Sequence, residues 1–341
     1  MNPAAGGRGQ TVPTARGPVA TDRLGRTLMH EHVFTVSSEM AANYPALAWN
    51  GTRESRISDA IEKLNNLKAL GFDSFVDMNV LGLGRSMPDI LAVAEHADIN
   101  ILLATGVYPH RGLPSAIEER DPAVLAGNGT PDVMAELFVS DIRSGIAGTG
   151  VRAALIKGYT DKPGVTPLID RCLRAVAWAH RQTGVPIETH TDAESRTGLE
   201  QQRVLAEEGV DLSRVIIGHS GDTTDLSYLR QIMDAGSLIA SDRFGLYLEG
   251  MATLEQRVAV ISELCRRGYA DRIVLSHDAA CYADYDFDGG QVSRQTLPHW
   301  VHTHLSEHVL PKLAESGVSD DQIDQMLVRN PRRVFESQNP Y

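Results

Sequence analysis

From Thr27 onward the chain alternates short apolar runs with longer segments whose apolar residues recur every three or four positions. That is the pattern of parallel strands joined by crossover helices. Eight strands are expected, at Thr27–Phe34, Ser74–Val80, Ile101–Val107, Ala153–Tyr159, Pro186–Thr191, Val215–His219, Leu238–Asp242 and Ile273–Asp278. In the clearest helical stretch Leu168, Cys172, Ala175, Val176 and Ala179 share one face, Gly184 stops the helix and Pro186 opens the next strand. Eight such units fit a (β/α)8 TIM barrel better than an open doubly wound sheet, because no dinucleotide fingerprint follows the first strand. Gly82-Leu83-Gly84 lacks the third glycine and reads as a turn. Nothing divides the barrel, so a single α/β domain over residues 18–341 is expected, after a flexible lead-in over residues 1–17. The last helices, around Asp320–Leu327 and Pro331–Glu336, are expected beneath or beside it.

Composition narrows the class of partner. The 341 residues carry 32 Lys+Arg against 44 Asp+Glu, a formal net charge of −12, which repels phosphate backbones and anionic lipid. Neither nucleic acid nor membrane is expected, and no run approaches the roughly 20 apolar residues of a bilayer span. Cys172, Cys265 and Cys281 are widely spaced without a CxxC, so neither a disulfide framework nor a zinc knuckle is indicated. With no apolar signal core near the N-terminus, a reducing, cytoplasmic location is expected.

Residues of metal-site type fall at the carboxyl ends of the strands, where barrel enzymes place their active sites. His30 and His32 lie on the first strand, Lys157 on the fourth, His190 on the fifth, His219 on the sixth and Asp278 on the eighth. Two residues apart on a strand share a face, so His30 and His32 can both point into the mouth. Alone the pair means little, since twelve histidines in 341 residues give an HxH in about four sequences of ten. Its agreement with four further strand-end residues is what counts. His302-Thr303-His304 illustrates the chance case: it lies in a helical stretch, where positions two apart face differently, and is expected to be surface or packing. Lys157 cannot ligate a metal as an ammonium. If its amine captured carbon dioxide, the carbamate would be a bidentate anion able to bridge two metals.

At this point the chain resembles a known family. Thr27-Leu28-Met29-His30-Glu31-His32, Leu155-Ile156-Lys157, Pro186-Ile187-Glu188-Thr189-His190-Thr191, Ile217-Gly218-His219-Ser220-Gly221-Asp222 and Leu275-Ser276-His277-Asp278 resemble, in order, the motifs of the phosphotriesterase family of the amidohydrolase superfamily. The resemblance implies that His30, His32 and Asp278 hold a buried divalent ion, that His190 and His219 hold a more exposed one, and that carboxylated Lys157 bridges them. It implies a two-metal hydrolase in which a bridging hydroxide attacks and Asp278 shuttles the proton. Zinc is the first expectation, with iron, cobalt or manganese also suited to imidazole and carboxylate ligands.

Within the family the chain is most similar to the phosphotriesterase-like lactonases. Thr105-Gly106-Val107-Tyr108 places Tyr108 where it could orient a lactone carbonyl, and Asp242-Arg243-Phe244-Gly245-Leu246 puts Arg243 where organophosphate hydrolases carry a histidine. Asp222 would be an acid on the proton path, its plainer reading being a helix N-cap. Leu246, Tyr247, Leu248, Met251, Tyr282, Tyr285, Phe287 and Trp300 could line an apolar slot for an acyl tail. The expected substrates are lactones or related esters, acyl-homoserine lactones among them in a quorum-quenching role, with promiscuous phosphotriester hydrolysis. A homodimer is expected.

Alternatives are a dedicated aryldialkylphosphatase and a metal-bearing, non-catalytic binding protein. His304-Leu305-Ser306-Glu307-His308 also matches the inverted zinc-protease string HxxEH, but that family's third ligand comes well downstream, where little chain remains. Glu188 departs from the resemblance. Sharing a face with His190 one layer deeper, it must be protonated or partnered, since burying a lone carboxylate costs several kcal/mol.

Overall fold

The computed structural model describes residues 10–120, 131–284, 297–336 and 339–341. All eight expected strands form: β1 (Thr27–Thr35), β2 (Ser74–Asp77), β3 (Asn100–Gly106), β4 (Leu155–Tyr159), β5 (Ile187–His190), β6 (Val215–Ile217), β7 (Leu238–Ser241) and β8 (Ile273–Leu275). Each pairs in parallel with the next. A short ninth strand, β9 (Ala280–Ala283), pairs in parallel with β1.

The sheet order runs from β8 through β7 down to β1 and then β9, so its two ends are consecutive pieces of one interrupted strand. That interruption closes the (β/α)8 TIM barrel. Across the seam the Asp278 amide donates to the His30 carbonyl at 3.1 Å and the His32 amide to the Ala279 carbonyl at 2.9 Å. The apolar pattern therefore overran the true strand ends: β6 stops two residues before His219 and β8 three before Asp278. Both residues have positive φ, 59° and 54°, which takes the backbone out of the ladder.

The connecting helices bury the faces their periodicity marks. In the helix Pro167–Thr183, Cys172, Ala175, Val176 and Ala179 are buried and Leu168 is half-buried. The Thr166 hydroxyl caps its start by accepting from the Ile169 amide, and Gly184 ends it at φ 75°, a conformation glycine adopts at no steric cost. Inside the barrel, Met29, Val76, Leu102, Leu155, Ile216 and Val274 pack into an apolar plug beneath the mouth.

The boundary expected at residue 17 moves back. Thr11–Val12 pairs antiparallel with Val19–Ala20, Val12 is buried in the inner plug beside Leu24 and Phe335, and the Ala15 amide donates to the Ile101 carbonyl at 2.8 Å. The C-terminal helix Asn330–Glu336 packs beneath the barrel as expected, with the Asn330 amide group donating to the carbonyls of Ala270 and Ile273 under β8. No helix among the described residues is long and apolar enough to cross a membrane.

Candidate metal centre

The six residues singled out by their positions meet at one point. His30 and His32 project from β1, Lys157 from the middle of β4 and His190 from the end of β5, while His219 and Asp278 sit in the left-handed turns after β6 and β8. All six are buried. Asp278 Oδ1 lies 3.0 Å from His32 Nε2 and 3.5 Å from His30 Nε2, and its Oδ2 lies 3.7 Å from His219 Nε2. Lys157 Nζ is 3.4 Å from His30 Nε2, and the His190 and His219 rings are 4.5 Å apart between centroids. One atom each from His30, His32 and Asp278 falls within 4.8 Å of the others, a spacing a single ion could span.

What aims these imidazoles is a set of outer partners on the opposite ring nitrogen. His30 Nδ1 donates to Glu188 Oε1 at 2.9 Å and faces Asp242 Oδ2 at 3.3 Å. His219 Nδ1 donates to Asp242 Oδ1 at 3.0 Å, and His32 Nδ1 to Asn79 Oδ1 at 2.8 Å. Each contact engages Nδ1 and so turns Nε2 toward the centre, the arrangement ligating histidines usually carry. His219 Nε2 is buried with no hydrogen-bond partner, an orphan that a cation would satisfy. Glu188 thus has the partner its burial required. Neither Asp242 nor Asn79 stands out in the sequence, although Asp242 does follow the end of β7 as the other site residues follow theirs.

The electrostatics ask for positive charge. Burial works against the His30 imidazolium, as does Lys157, yet Asp278 and the bonds to Asp242 and Glu188 carry its pKa up to about 9. Burial also opposes the charge on Asp278, but the surrounding histidines and Arg243 hold its carboxyl well below the usual range. Glu188 is pushed up to about 7, burial outweighing its bond to His30. Lys157 is drawn down to about 8, chiefly by burial. Among the described residues no carboxylate forms an ion pair with Lys157, whose nearest polar neighbours are His30 Nε2 and the Met78 carbonyl at 3.5 Å. The donor set, the orphaned nitrogen and the unpaired amine fit divalent cations well.

Positive φ at His219 and Asp278 costs on the order of 1–3 kcal/mol each, so the surroundings must enforce it. At His219 both Asp242 oxygens accept from its amide, at 3.0 and 3.1 Å. At Asp278 the clamp is Glu31, which points away from the centre because it lies between His30 and His32. Its carboxylate accepts from the Ser276 hydroxyl (3.0 Å), the His277 amide (2.8 Å) and the Ala279 amide (3.0 Å).

The further residues lie around this core. The half-buried Tyr108 packs edge-on against His190 and Tyr159, at centroid distances of 5.3 and 4.8 Å, and burial raises its phenol pKa, keeping it neutral. Arg243 is buried: its Nε donates to Asp278 Oδ2 and its Nη1 to Asp222 Oδ2, both at 3.1 Å. Asp222 also pairs with Arg257 Nη1 at 3.1 Å, and it is Asp225 that caps the following helix. Asp222 reaches Asp278 only through Arg243, whose pKa its carboxylate partners raise against the opposing effect of burial. Asp222 thus sits between two guanidinium groups, those of Arg243 and Arg257.

The mouth opens into a cleft of about 1760 Å³ lined in part by Leu248, Met251, Tyr282 and Trp300. Leu246 is instead buried, and Tyr247 turns away to His304, so neither of these lines the slot. Tyr285 and Phe287 lie outside the described residues.

The chain resembles known proteins in both sequence and fold. The profile of the phosphotriesterase family matches residues 10–335. A phosphotriesterase homology protein of Mycobacterium tuberculosis is 48% identical over 329 residues, covering 96% of this chain and 98% of that one. An aryldialkylphosphatase of Saccharolobus solfataricus is 35% identical over 312 residues, covering 92% and 95%. A solved structure described as organophosphate hydrolysis activity engineered from a weak promiscuous lactonase template superposes with a TM-score of 0.86 at 33% identity, covering 96% of this chain and all of that one.

Proposed function

The chain belongs to the phosphotriesterase family, and from that premise we propose that it is a metal-dependent lactonase whose phosphotriester hydrolysis is a side activity. His30, His32 and Asp278 would hold one divalent transition ion, His190 and His219 a second, and Lys157 as its carbamate would hold both. When bound, such ions supply an acidified water as nucleophile and polarise the carbonyl under attack.

The protein's own groups do the rest. Lys157, with its pKa drawn down to about 8, exposes free amine near neutrality, and only free amine adds to carbon dioxide. The nitrogen lone pair forms the N–C bond and the lost N–H proton leaves an anionic carbamate. Asp278, kept ionised, is the acceptor for the proton the nucleophile releases and its donor to the departing alkoxide. Tyr108, kept neutral, can donate to the oxyanion as charge develops on it. Asp222 holds Arg243 in place.

The observation that carries the lactonase reading is Arg243, a buried guanidinium wedged between Asp222 and Asp278 at the wall of the mouth. A lactone brings a planar carbonyl and one tail. A phosphotriester must seat three substituents around phosphorus, and the volume Arg243 fills is space one of them would need. Leu248, Met251 and Trp300 give a tail apolar surface.

The test is a substrate panel of acyl-homoserine lactones, γ- and δ-lactones, an aryl ester and a paraoxon-like triester, run on metal-replete wild type and Arg243→His. Lactones should lead, with efficiency rising by up to about 0.8 kcal/mol per buried methylene. Arg243→His should move the ratio toward the triester by about tenfold, equivalent to 1.4 kcal/mol. A wild type that prefers the triester to every lactone favours a dedicated aryldialkylphosphatase, as the archaeal relative is named. No turnover by fully loaded protein favours a binding role.

A further inference from the structure

A second group of histidines converges on the rim of the barrel. His299, His304 and His308 have ring centroids 5.4, 5.9 and 4.9 Å apart, and one nitrogen from each lies within 4.8 Å of the others. The segment that carries them winds into a π-helical turn, Leu305–Val309, which sets His304 and His308 side by side. His304 is buried, while His299 and His308 are exposed, so the group is open to solvent on one side.

The surroundings suit an ion better than three packed imidazoles. Tyr247 Oη stands 2.9 Å from His304 Nε2, an outer contact that holds the ring in place. Among the described residues no carboxylate pairs with any of the three, and Glu307 of the HxxEH string accepts instead from the Thr303 hydroxyl at 3.0 Å. The third histidine stands upstream of the HxxEH pair rather than downstream, and Glu307 is turned away, so the arrangement is not that of the inverted zinc proteases.

The site also lies on a seam. A Cβ on Gly245 would come within 2.1 Å of the His299 carbonyl oxygen, so the loop after β7 packs directly on the backbone of His299. Tyr247 belongs to that same loop. Leu248 and Met251 from this loop and Leu297 and Trp300 from the histidine segment together wall the substrate cleft.

We propose that His299, His304 and His308 form a third metal site, separate from the barrel mouth, that takes one divalent transition ion of the zinc, nickel or copper type. Three imidazoles with a solvent-facing fourth position suit such an ion. Bound there, it would hold His304 in place against Tyr247 of the loop after β7 and so stiffen one wall of the cleft.

The test compares metal-stripped full-length wild type with His299→Ala/His308→Ala, both loaded with zinc, dialysed and measured for bound zinc per chain. Both replaced residues are exposed, so thermal unfolding in chelator should be the same for the two proteins. Wild type should retain one equivalent more zinc, and zinc should raise its unfolding temperature further than that of the variant. Should the double variant fail to fold, His308→Gln alone carries the same comparison. Equal zinc content with equal zinc-induced stabilisation would overturn the site.

Discussion

The two histidine clusters are built in opposite ways. The mouth cluster draws its members from β1, β4, β5 and the turns after β6 and β8, so the barrel itself brings them together. The rim cluster draws all three from residues 299–308, so one helical turn, the short segment before it and a neighbouring phenol suffice. At the mouth His30, His32 and His219 are each gripped on Nδ1 by a buried side chain, whereas at the rim His304 alone has a side-chain hydrogen-bond partner among the described residues, the half-buried Tyr247 on its Nε2. A site assembled from distant strands is pre-organised and fails as a unit. A site on one turn is adaptable and loses affinity by degrees.

The sharpest way to break this contrast is Lys157→Ala. It should empty both mouth positions and lower lactone turnover by on the order of 10³-fold, about 4 kcal/mol of transition-state stabilisation, while leaving rim zinc in place. A short carboxylic acid should restore part of the metal and the rate by standing in for the carbamate. Lys157→Arg should not, because guanidinium stays protonated, and an active, metal-loaded Lys157→Arg would rule out the bridging role.

Glu188→Gln tests the grip on a single imidazole. Removing the charge that His30 Nδ1 donates to should weaken metal binding at the mouth by about 10- to 100-fold without unfolding the chain. Competition with a chromogenic chelator reads this directly, and an unchanged affinity would reduce Glu188 to packing.

An effect on stability rather than on metal binding concerns His302, which lies between the clusters with Nε2 3.6 Å from Glu31 Oε2. Burial lowers its pKa from 6.5 to about 4. The unfolded chain therefore takes up a proton that the folded chain refuses, and stability should fall as pH drops from 6.5 toward 4, by up to about 1.4 kcal/mol per unit. In metal-free protein His302→Gln should flatten that slope. An unaltered slope would mean another group controls acid stability.

Much of the mouth was legible because its members are polar residues interrupting apolar strands, an expensive placement that demands a purpose. His30 and His32 gained meaning only from Lys157, His190, His219 and Asp278 falling at matching points of successive β/α units. Of the outer partners only Glu188 was legible, because Asn79 and Asp242 act through space and their own neighbours in sequence give no periodic signal. The break in the eighth strand was hidden as well: Ser276 to Ala279 look like more strand, and only the left-handed turn at Asp278, pinned by Glu31, shows otherwise. At the rim the HxxEH string was visible, but not its partner, since His299 joins it only once the segment has folded back through Trp300.

The divided eighth strand bears on the order of events during synthesis. As the chain is synthesised, β1 is made before the rest of the barrel, and its outer edge has no partner until β9, the last strand of the sheet, appears. The residues that supply that partner follow directly on Asp278. A ribosome-bound chain halted before them would present an open, sticky sheet edge and a metal pocket missing one wall at the same moment. Completion of the barrel and readiness to capture metal are therefore one late event.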